Sequence, residues 1–337
     1  MREAPTLTHA APFSITMLAE KNSAQLHEGL HLLAAVGFAD KAATLDANRP
    51  IFNIGLPLLN AVACTEQWLS PTPVRYGKHA SITYSENDQV LFGHLLLEEA
   101  DFSDFRQASR DAYQQVFELL QQRGYPYLLR MWNYFPAITA QQSELNRYQV
   151  FCLGRQDALD AHGNFAYSPP AATAIGTQQA GLQLYFIAAQ AAGMQLENPR
   201  QTSAFLYPRQ YGPVSPAFSR ATVKAWGQTQ HLYISGTTSI VGHETLHTGD
   251  PLAQLHETLR NLEALLEHGD DTLGLPVRSV GALTQLKVYV HDRATLPLLQ
   301  AALDSYLAQQ PHAPTVLYLQ GDVCRADLMV EMEGIYA

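Results

Sequence analysis

Asp250 to Gly269 reads DPLAQLHETLRNLEALLEHG, and this stretch decides the fold class of the chain. Asp250 followed by Pro251 is typical of a helix start, because an aspartate side chain caps free backbone N–H groups and proline fits the first helical turn. Apolar residues then recur at helical spacing, at Leu252, Leu255, Leu259, Leu262, Leu265 and Leu266. The pattern predicts an amphipathic helix that runs to Gly269 and packs on another layer.

Short apolar runs flank this helix. QHLYIS (Gln230 to Ser235) predicts a strand that ends at Gly236, and LTQLKVYVH (Leu283 to His291) alternates as a half-buried strand does. We expect three further elements: a helix from Leu296 to Gln309, then strands from Thr315 to Gln320 and from Leu328 to Ile335. The order β-α-β-α-β-β predicts a mixed α/β (α+β) module.

The first half repeats this order more faintly. Gln89 to Leu97 (QVLFGHLLL) predicts a strand, Phe105 to Arg123 a long helix, and Tyr127 to Tyr134 (YLLRMWNY) the next strand. We therefore expect an internal duplication, with two related α/β modules that share one interface. Glycines and prolines cluster from His162 to Thr177, which places the join there and predicts an N-terminal module over 1–165 and a C-terminal module over 166–337.

Composition narrows the class of protein. A chain of 337 residues with 47% hydrophobic residues can bury large cores, so it is not disordered. The N-terminus has no signal-peptide pattern, and polar residues, glycine and proline interrupt the longest apolar stretch, near Ile51 to Cys64, so we expect a cytoplasmic protein without a membrane partner. Cys64, Cys152 and Cys324 are widely spaced and predict reduced thiols. A net charge of −10 argues against a nucleic-acid partner.

The basic residues are concentrated in the middle of the chain. Between Arg123 and Lys224 there are eight basic residues and only four acidic ones, and seven of the eight are arginines. Arginine presents a planar fork that binds carboxylates through two hydrogen bonds. The segment therefore suits a small substrate with more than one negative charge, although each arginine alone could be an ordinary surface charge.

The sequence does not support three familiar catalytic or cofactor-binding motifs. His243 to His247 (HETLH) fits the H-E-x-x-H zinc pattern, but it lies between Gly242 and the start of the next helix, so we expect loop histidines and no metal. Gly176 to Gly181 (GTQQAG) lacks a phosphate-binding glycine pattern, which argues against a nucleotide cofactor. A G-x-S-x-G nucleophile pattern is also missing from the sequence.

Two arginines and two tyrosines form the first candidate site residues. NRYQVFCLGR (Asn146 to Arg155) holds Tyr148 and Arg155, and YPRQYGP (Tyr207 to Pro213) holds Arg209 between two tyrosines in a loop stiffened by proline and glycine. Such a loop limits the entropy that an arginine loses when it clamps a carboxylate. A packing loop with a surface arginine is the alternative.

A pair of glutamates near the C-terminus is the second candidate. In DLMVEMEG (Asp327 to Gly334), Glu331 and Glu333 share one face of the predicted strand. Two such glutamates usually mark a solvated edge. If the strand instead lies in an interface, burial raises a glutamate pKa and makes a proton donor near neutral pH.

Together these motifs resemble the chorismatase family, enzymes that convert chorismate with loss of pyruvate. The resemblance covers about the last 190 residues, in family order, and the stretch before Asn146 matches only loosely. It is carried by NRYQVFCLGR, ENPRQTSAFLYPRQYGP, ISGTTSIVGHETLHTGD and DLMVEMEG. The resemblance implies two modules similar to the RidA (YjgF) fold, packed as a pseudo-oligomer, with the ligand at their seam. It also implies that no cofactor is needed and that chorismate is the partner; we expect a monomer and leave an oligomer open.

The resemblance also assigns roles. Arg155 with Tyr148, and Arg209 with Tyr211, would hold the two carboxylates of chorismate, and Glu331 would protonate the enolpyruvyl methylene. The subtype that forms 3-hydroxybenzoate is similar to this sequence at Gly236 and Cys324, where the hydrolytic subtype tends to carry alanine. We therefore expect 3-hydroxybenzoate and pyruvate, with some 4-hydroxybenzoate an open question. The alternatives are hydrolysis to 3,4-dihydroxycyclohexa-1,5-dienoate and pyruvate, or a RidA-like protein that binds small molecules or hydrolyses imines.

Overall fold

In a computed structural model, the described residues form one five-stranded and two six-stranded β-sheets, two short two-stranded pairs and four α-helices. The structure describes residues 11–19, 29–60, 64–162, 168–179 and 181–337. In these ranges no helix is both long and apolar enough to cross a membrane. The mixed α/β class predicted from the sequence is confirmed.

The N-terminal sheet has five strands and no helix among its described residues. Its order is β1-β5-β2-β4-β3, and only β2 and β4 pair in parallel. The strands are β1 (Ser14–Ala19), β2 (His31–Phe38), β3 (Ala43–Thr44), β4 (Ile51–Ile54) and β5 (Cys64–Ser70).

The second sheet has six strands in the order β12-β9-β13-β8-β7-β6. Two helices, α1 and α2, pack against each other beside it. In chain order the elements are β6 (Arg75–His79), β7 (Ile82–Glu86), β8 (Val90–Leu97), α1 (Phe105–Arg123), β9 (Tyr127–Pro136), the short pair β10 (Gln141–Gln142) and β11 (Leu145–Asn146), α2 (Arg147–Ala161), β12 (Ala171–Thr177) and β13 (Leu182–Ala189).

The third sheet also has six strands, in the order β14-β15-β16-β21-β19-β20. Its helices are α3 and α4, and a two-stranded hairpin, β17 with β18, lies before α3. In chain order the elements are β14 (Met194–Leu196), β15 (Ala221–Trp226), β16 (Thr229–Thr237), β17 (Ile240–Val241), β18 (Glu244–Thr245), α3 (Pro251–Leu273), β19 (Gln285–Val290), α4 (Leu296–Leu307), β20 (Thr315–Gln320) and β21 (Val330–Tyr336).

The two six-stranded sheets have the same topology. Each begins with an antiparallel meander of three strands and continues through a helix to a parallel strand pair, β9 with β12 in the second sheet and β19 with β20 in the third. The last strand, β13 or β21, then inserts between the meander and this pair. The remaining pairings are antiparallel at matching places in the two sheets. The prediction of two related modules is confirmed. Four strands of the N-terminal sheet, β1-β5-β2-β4, repeat the pairing order β8-β13-β9-β12 as well.

The boundary predicted between the modules needs correction. Residues 165 and 166 lie outside the described residues. However, β12 and β13 follow this point in the chain and complete the second sheet. The module built on the second sheet, called the second module below, therefore extends to Ala189, because a sheet that ended at β9 would lack the two strands that flank β9. The module built on the third sheet is called the third module.

Most elements begin where the sequence predicts, and their ends differ. The Asp250 side chain caps α3, which ends at Leu273, four residues beyond the predicted Gly269, because Gly274 rather than Gly269 adopts the left-handed conformation that caps the helix. Strand β16 continues through Gly236 to Thr237, and its register with β21 shifts between Ile234 and Thr237. Strand β19 is buried on both faces rather than one.

Among the described residues, the three largest apolar clusters are one central core and one core under each helix pair. The central core joins aromatic residues of all three sheets, such as Phe52, Trp132 and Tyr289. The helices α1 and α2 cover the other face of the second sheet, and α3 and α4 cover the other face of the third. Each large sheet is thus buried on both faces, which explains why its strands show nearly continuous apolar runs.

Candidate active site

A cavity of about 280 Å³ lies between the second and third sheets, where β12 approaches β16. The second module contributes β12 and the start of α2 to its wall. The third module contributes β16, β21 and the loops before β15 and β21. The candidate residues predicted from distant parts of the sequence that line it are Tyr148, Arg155, Tyr211, Gly236, Cys324 and Glu331.

Glu331 is the one carboxyl among the described residues that line the cavity. It lies on β21 and is 4% exposed. Burial raises the pKa of its carboxyl from 4.5 to about 8, the nearby Glu333 carboxylate adds to the rise, and Arg130 opposes it. The group is therefore mostly protonated at neutral pH, so the cavity contains a proton donor.

Gly236 gives the Glu331 carboxyl its space. A Cβ atom at Gly236 would lie 1.9 Å from Oε1 of Glu331 and 3.3 Å from the hydroxyl of Thr173. The backbone N–H of Gly236 donates to that hydroxyl at 3.0 Å. The strand is thus tied to β12 of the other module at the point where the carboxyl enters the cavity.

Three arginines line the cavity: Arg155, Arg220 and Arg325. Arg209 does not line it; its side chain is exposed in a single 3-10 turn. The loop Tyr207 to Tyr211 turns its two tyrosines toward the cavity and leaves Arg209 on the outside. The predicted pairing of Arg209 with Tyr211 is therefore not formed, and Arg220 and Arg325 are the cations beside these tyrosines.

Arg220 is 3% exposed and lies over the rings of Tyr207 and Phe218. Its Nη2 donates to the Tyr207 hydroxyl and to the Thr202 carbonyl, both at 2.8 Å. Its Nε has no partner among the described residues. Burying a cation without a paired carboxylate is costly, so this arginine is suited to an anionic ligand.

Arg325 closes the other side of the tyrosine loop. Its guanidinium lies 4.0 Å from the centroid of the Tyr211 ring, and its Nη1 donates to the His243 carbonyl at 2.9 Å. The Tyr211 hydroxyl lies 3.1 Å from Nδ1 of His243. These contacts join the tyrosine loop, the β17–β18 hairpin and the loop before β21 into one wall of the cavity.

Arg155 and Tyr148 lie on α2, which begins at the cavity. Asn146 caps this helix and accepts from the Gln149 backbone N–H at 2.9 Å, while the Gln149 side chain donates to the Tyr211 carbonyl at 3.0 Å. Arg155 is 3% exposed. Burial raises the pKa of Tyr148 well above its ordinary value, so Tyr148 is a neutral hydroxyl in this site.

Cys324 also lines the cavity, and burial raises the pKa of its thiol to about 12. A thiol with such a pKa is protonated at neutral pH and is a poor nucleophile.

The HETLH stretch does not form a helix. Glu244 and Thr245 form β18, and His247 has a positive φ of 59° after that strand. The two histidines thus do not lie one helical turn apart, which is the geometry that the zinc pattern requires. His247 instead lies 3.4 Å from Glu257 on α3.

Half of the eight basic residues in the middle segment have a structural role. Four of its arginines form ion pairs: Arg123 with Glu86, Arg130 with Glu333, Arg147 with Glu99 and Arg200 with Glu257. Arg155 and Arg220 are the members that line the cavity. Sequence reasoning missed Arg220 and Arg325, and the signal available for Arg220 was the same excess of arginine that suggested Arg209.

Comparison with known proteins gives the family. Residues 66–188 match the family model described as chorismatase FkbO/Hyg5-like, N-terminal. The chain is 34% identical over 321 residues to a 3-hydroxybenzoate synthase of Streptomyces hygroscopicus, across 91% of this chain and 92% of the relative. It is 36% identical over 283 residues to a chorismatase of Streptomyces rapamycinicus, across 81% and 82% of the two chains.

A solved chorismatase structure agrees over almost the whole chain. It superposes with a TM-score of 0.86 at 30% identity and covers 97% of this chain and 100% of the other. The chain belongs to the chorismatase family, as its motifs predicted. The predicted likeness of each module to the RidA fold stays a prediction.

Proposed function

We propose that this protein converts chorismate to 3-hydroxybenzoate and pyruvate, with Glu331 as the acid. The observation that carries the proposal is a buried, protonated carboxyl that enters a cavity lined by three arginines. The chain is 34% identical, over 91% of its length, to a relative named 3-hydroxybenzoate synthase, and this likeness supports 3-hydroxybenzoate as the product.

The cavity is suited to a dianion. Chorismate carries a ring carboxylate and an enolpyruvyl carboxylate, and each needs a cation where water is excluded. Arg155 lies at the α2 side, whereas Arg220 and Arg325 lie at the tyrosine loop. We assign one carboxylate to Arg155 with Tyr148 and the other to Arg220 and Arg325 beside Tyr211.

Glu331 would then give its proton to the methylene carbon of the enolpyruvyl group. The ether carbon becomes electrophilic, the bond between ring C3 and the ether oxygen breaks, and the group leaves as pyruvate with the ether oxygen as its keto oxygen and the added proton in its methyl group. The neighbouring C4 hydroxyl oxygen bonds to C3 in its place, and its bond to C4 then breaks, so that the hydroxyl remains on C3. The ring loses one proton when it becomes aromatic, and the Glu331 carboxylate can accept it. The two products together contain all the atoms of chorismate, so this route consumes no water.

Gly236 and Cys324 would favour this route through the shape of the cavity. Gly236 lets the acid lie directly against the strand, and the neutral Cys324 thiol fills space without offering a charge. Both features limit the room for a water molecule beside the reacting carbon. A hydrolytic reaction would instead release the non-aromatic diene.

The test is to incubate pure protein with chorismate and to separate the products by chromatography. We expect 3-hydroxybenzoate and an equal amount of pyruvate. If no pyruvate forms, the proposal is wrong. If the non-aromatic diene is the main product, the protein hydrolyses chorismate instead of forming 3-hydroxybenzoate.

The role of Glu331 is tested by Glu331→Gln and by pH. We expect turnover to fall by about a hundredfold or more, because general acid catalysis contributes about that much. In the unaltered protein the protonated form is active, so kcat/KM should hold below pH about 8 and fall above it. Near-normal turnover in the glutamine variant would exclude Glu331 as the acid.

A further inference from the structure

A cluster of four buried charges lies in the centre of the protein, behind the cavity. It consists of Glu66, Arg130, Lys287 and Glu333, each no more than 1% exposed. Lys287 Nζ lies 3.0 Å from Glu66 and 3.6 Å from Glu333, and Arg130 Nη2 lies 2.7 Å from Glu333. The cluster joins all three sheets, and one of its members is two residues from Glu331.

Glu333 is held as an anion. It accepts from Arg130 Nη2 and from Trp132 Nε1, both at 2.7 Å, and Lys287 faces it from β19. These cations and donors keep the pKa of Glu333 below its usual value although it is buried. Glu331 and Glu333 thus form two carboxyls on one strand face with opposite protonation states at neutral pH.

The groups around Glu331 show why this neighbour matters. On its own strand the charged group is Glu333, and from β9 the charged group is Arg130, which already contacts Glu333. Tyr289 on β19 is the strand partner of Glu331, and the Cys324 thiol lies on the cavity side. Both groups are neutral at pH 7, because burial raises their pKa values. Glu333 is therefore the anion that opposes ionisation of Glu331.

We propose that Glu333 is a positioning residue: a permanently ionised carboxylate, fixed by Arg130 and Trp132, that keeps the neighbouring Glu331 protonated and ready to donate. This inference rests on the proposed role of Glu331 as the acid. Two carboxyls that share a site do not both ionise readily, so fixing the charge on one holds the proton on the other.

Arg130 also connects Glu333 to the cavity wall. Its Nη2 donates to the Thr173 hydroxyl at 2.5 Å, and that hydroxyl accepts from the Gly236 N–H at 3.0 Å. The same guanidinium therefore fixes the anion and the strand against which Glu331 packs. A change in the charge of Glu333 should alter the protonation of Glu331 while Thr173 and Gly236 keep their places.

The experiment compares Glu333→Gln with Glu66→Gln. Both carboxylates are fully buried and both face Lys287, but Glu66 lies on β5, away from the cavity. We expect both variants to lose stability. In the pH profile of kcat/KM, the high-pH limb is the fall in activity near pH 8. Only Glu333→Gln should move this limb, to a pH lower by about one unit, which is the size of pKa shift that a nearby charge produces.

The limb should move down and not disappear, because burial still raises the pKa of Glu331 in the variant. An unchanged limb in Glu333→Gln, or an equal movement in Glu66→Gln, would overturn the inference. A merely structural role for Glu333 would lower thermal stability without moving the limb.

Infrared difference spectroscopy tests the same point without turnover. At neutral pH the unaltered protein should show a protonated-carboxyl band that Glu331→Gln abolishes, and the band should titrate at lower pH in Glu333→Gln. If Glu333→Gln does not fold, a missing band in the unaltered protein still overturns the inference. If Glu331→Gln keeps its turnover but the band behaves as expected, the proposed acid is wrong and the charge pairing stands.

Discussion

Substituting Gly236 by alanine tests how closely the acid must be placed. The added Cβ would lie 1.9 Å from Oε1 and 2.8 Å from Cδ of Glu331, and carbon and oxygen cannot approach this closely. The carboxyl is the far end of a flexible side chain, so it can move away by about 1 Å without unfolding the strand. A misplacement of about 1 Å can cost about a hundredfold in rate, and we expect a loss of about that size.

The assay follows pyruvate release and the aromatic product for both proteins at matched concentration, with thermal unfolding as the control. We expect 3-hydroxybenzoate formation to fall about a hundredfold while the unfolding temperature changes little. We also expect a larger share of the diene, because a displaced carboxyl leaves room for water. Unchanged rate and product in a folded Gly236→Ala protein would refute the claim that Gly236 positions Glu331.

Three further substitutions, with Arg209→Ala as a matched control, test the cavity and the core. Arg220→Ala should raise KM for chorismate about tenfold or more, because a hydrogen bond to a charged group contributes about 1.5–3 kcal/mol, whereas Arg209→Ala should leave KM nearly unchanged; equal effects would contradict the assignment. Cys324→Ala should raise the diene share in the product chromatogram, and an unchanged product ratio would exclude a role for the thiol in shaping the cavity. Leu262→Ala on α3 should lower the free energy of unfolding by about 2–5 kcal/mol in a urea titration, since Leu262 is fully buried, and a loss below 1 kcal/mol would contradict its place in the core.

The sequence predicts the third module well because its signals are local. The Asp250-Pro251 start and the leucine spacing of α3 depend on neighbouring residues, and Thr315 to Gln320 forms β20 as predicted. The N-terminal sheet escaped prediction because its parallel pair, β2 with β4, joins strands through long-range contacts. Sheet pairing of this kind leaves no periodic trace in a single sequence.

We identified from the sequence those residues of the site whose type is unusual for the element in which they lie. Glu331 drew attention as a polar residue in an apolar strand, and it enters the cavity. Arg209 and Arg220 look equivalent in the sequence, since each lies two residues after an aromatic residue in a loop rich in proline. Only the path of the backbone decides which of them points inward, and that path depends on contacts with the β17–β18 hairpin.

Gln183 shows why a repeated fold need not repeat a site. Gln183 pairs with Tyr134 on β9 as Glu331 pairs with Tyr289 on β19, and the two tyrosine hydroxyls lie 3.2 Å apart. The Gln183 amide donates to the Asn53 carbonyl at 2.9 Å, a contact with the N-terminal sheet. An amide has no acidic proton to give at neutral pH. The duplicated strand therefore carries an acid at one of its two related positions and a structural hydrogen bond at the other.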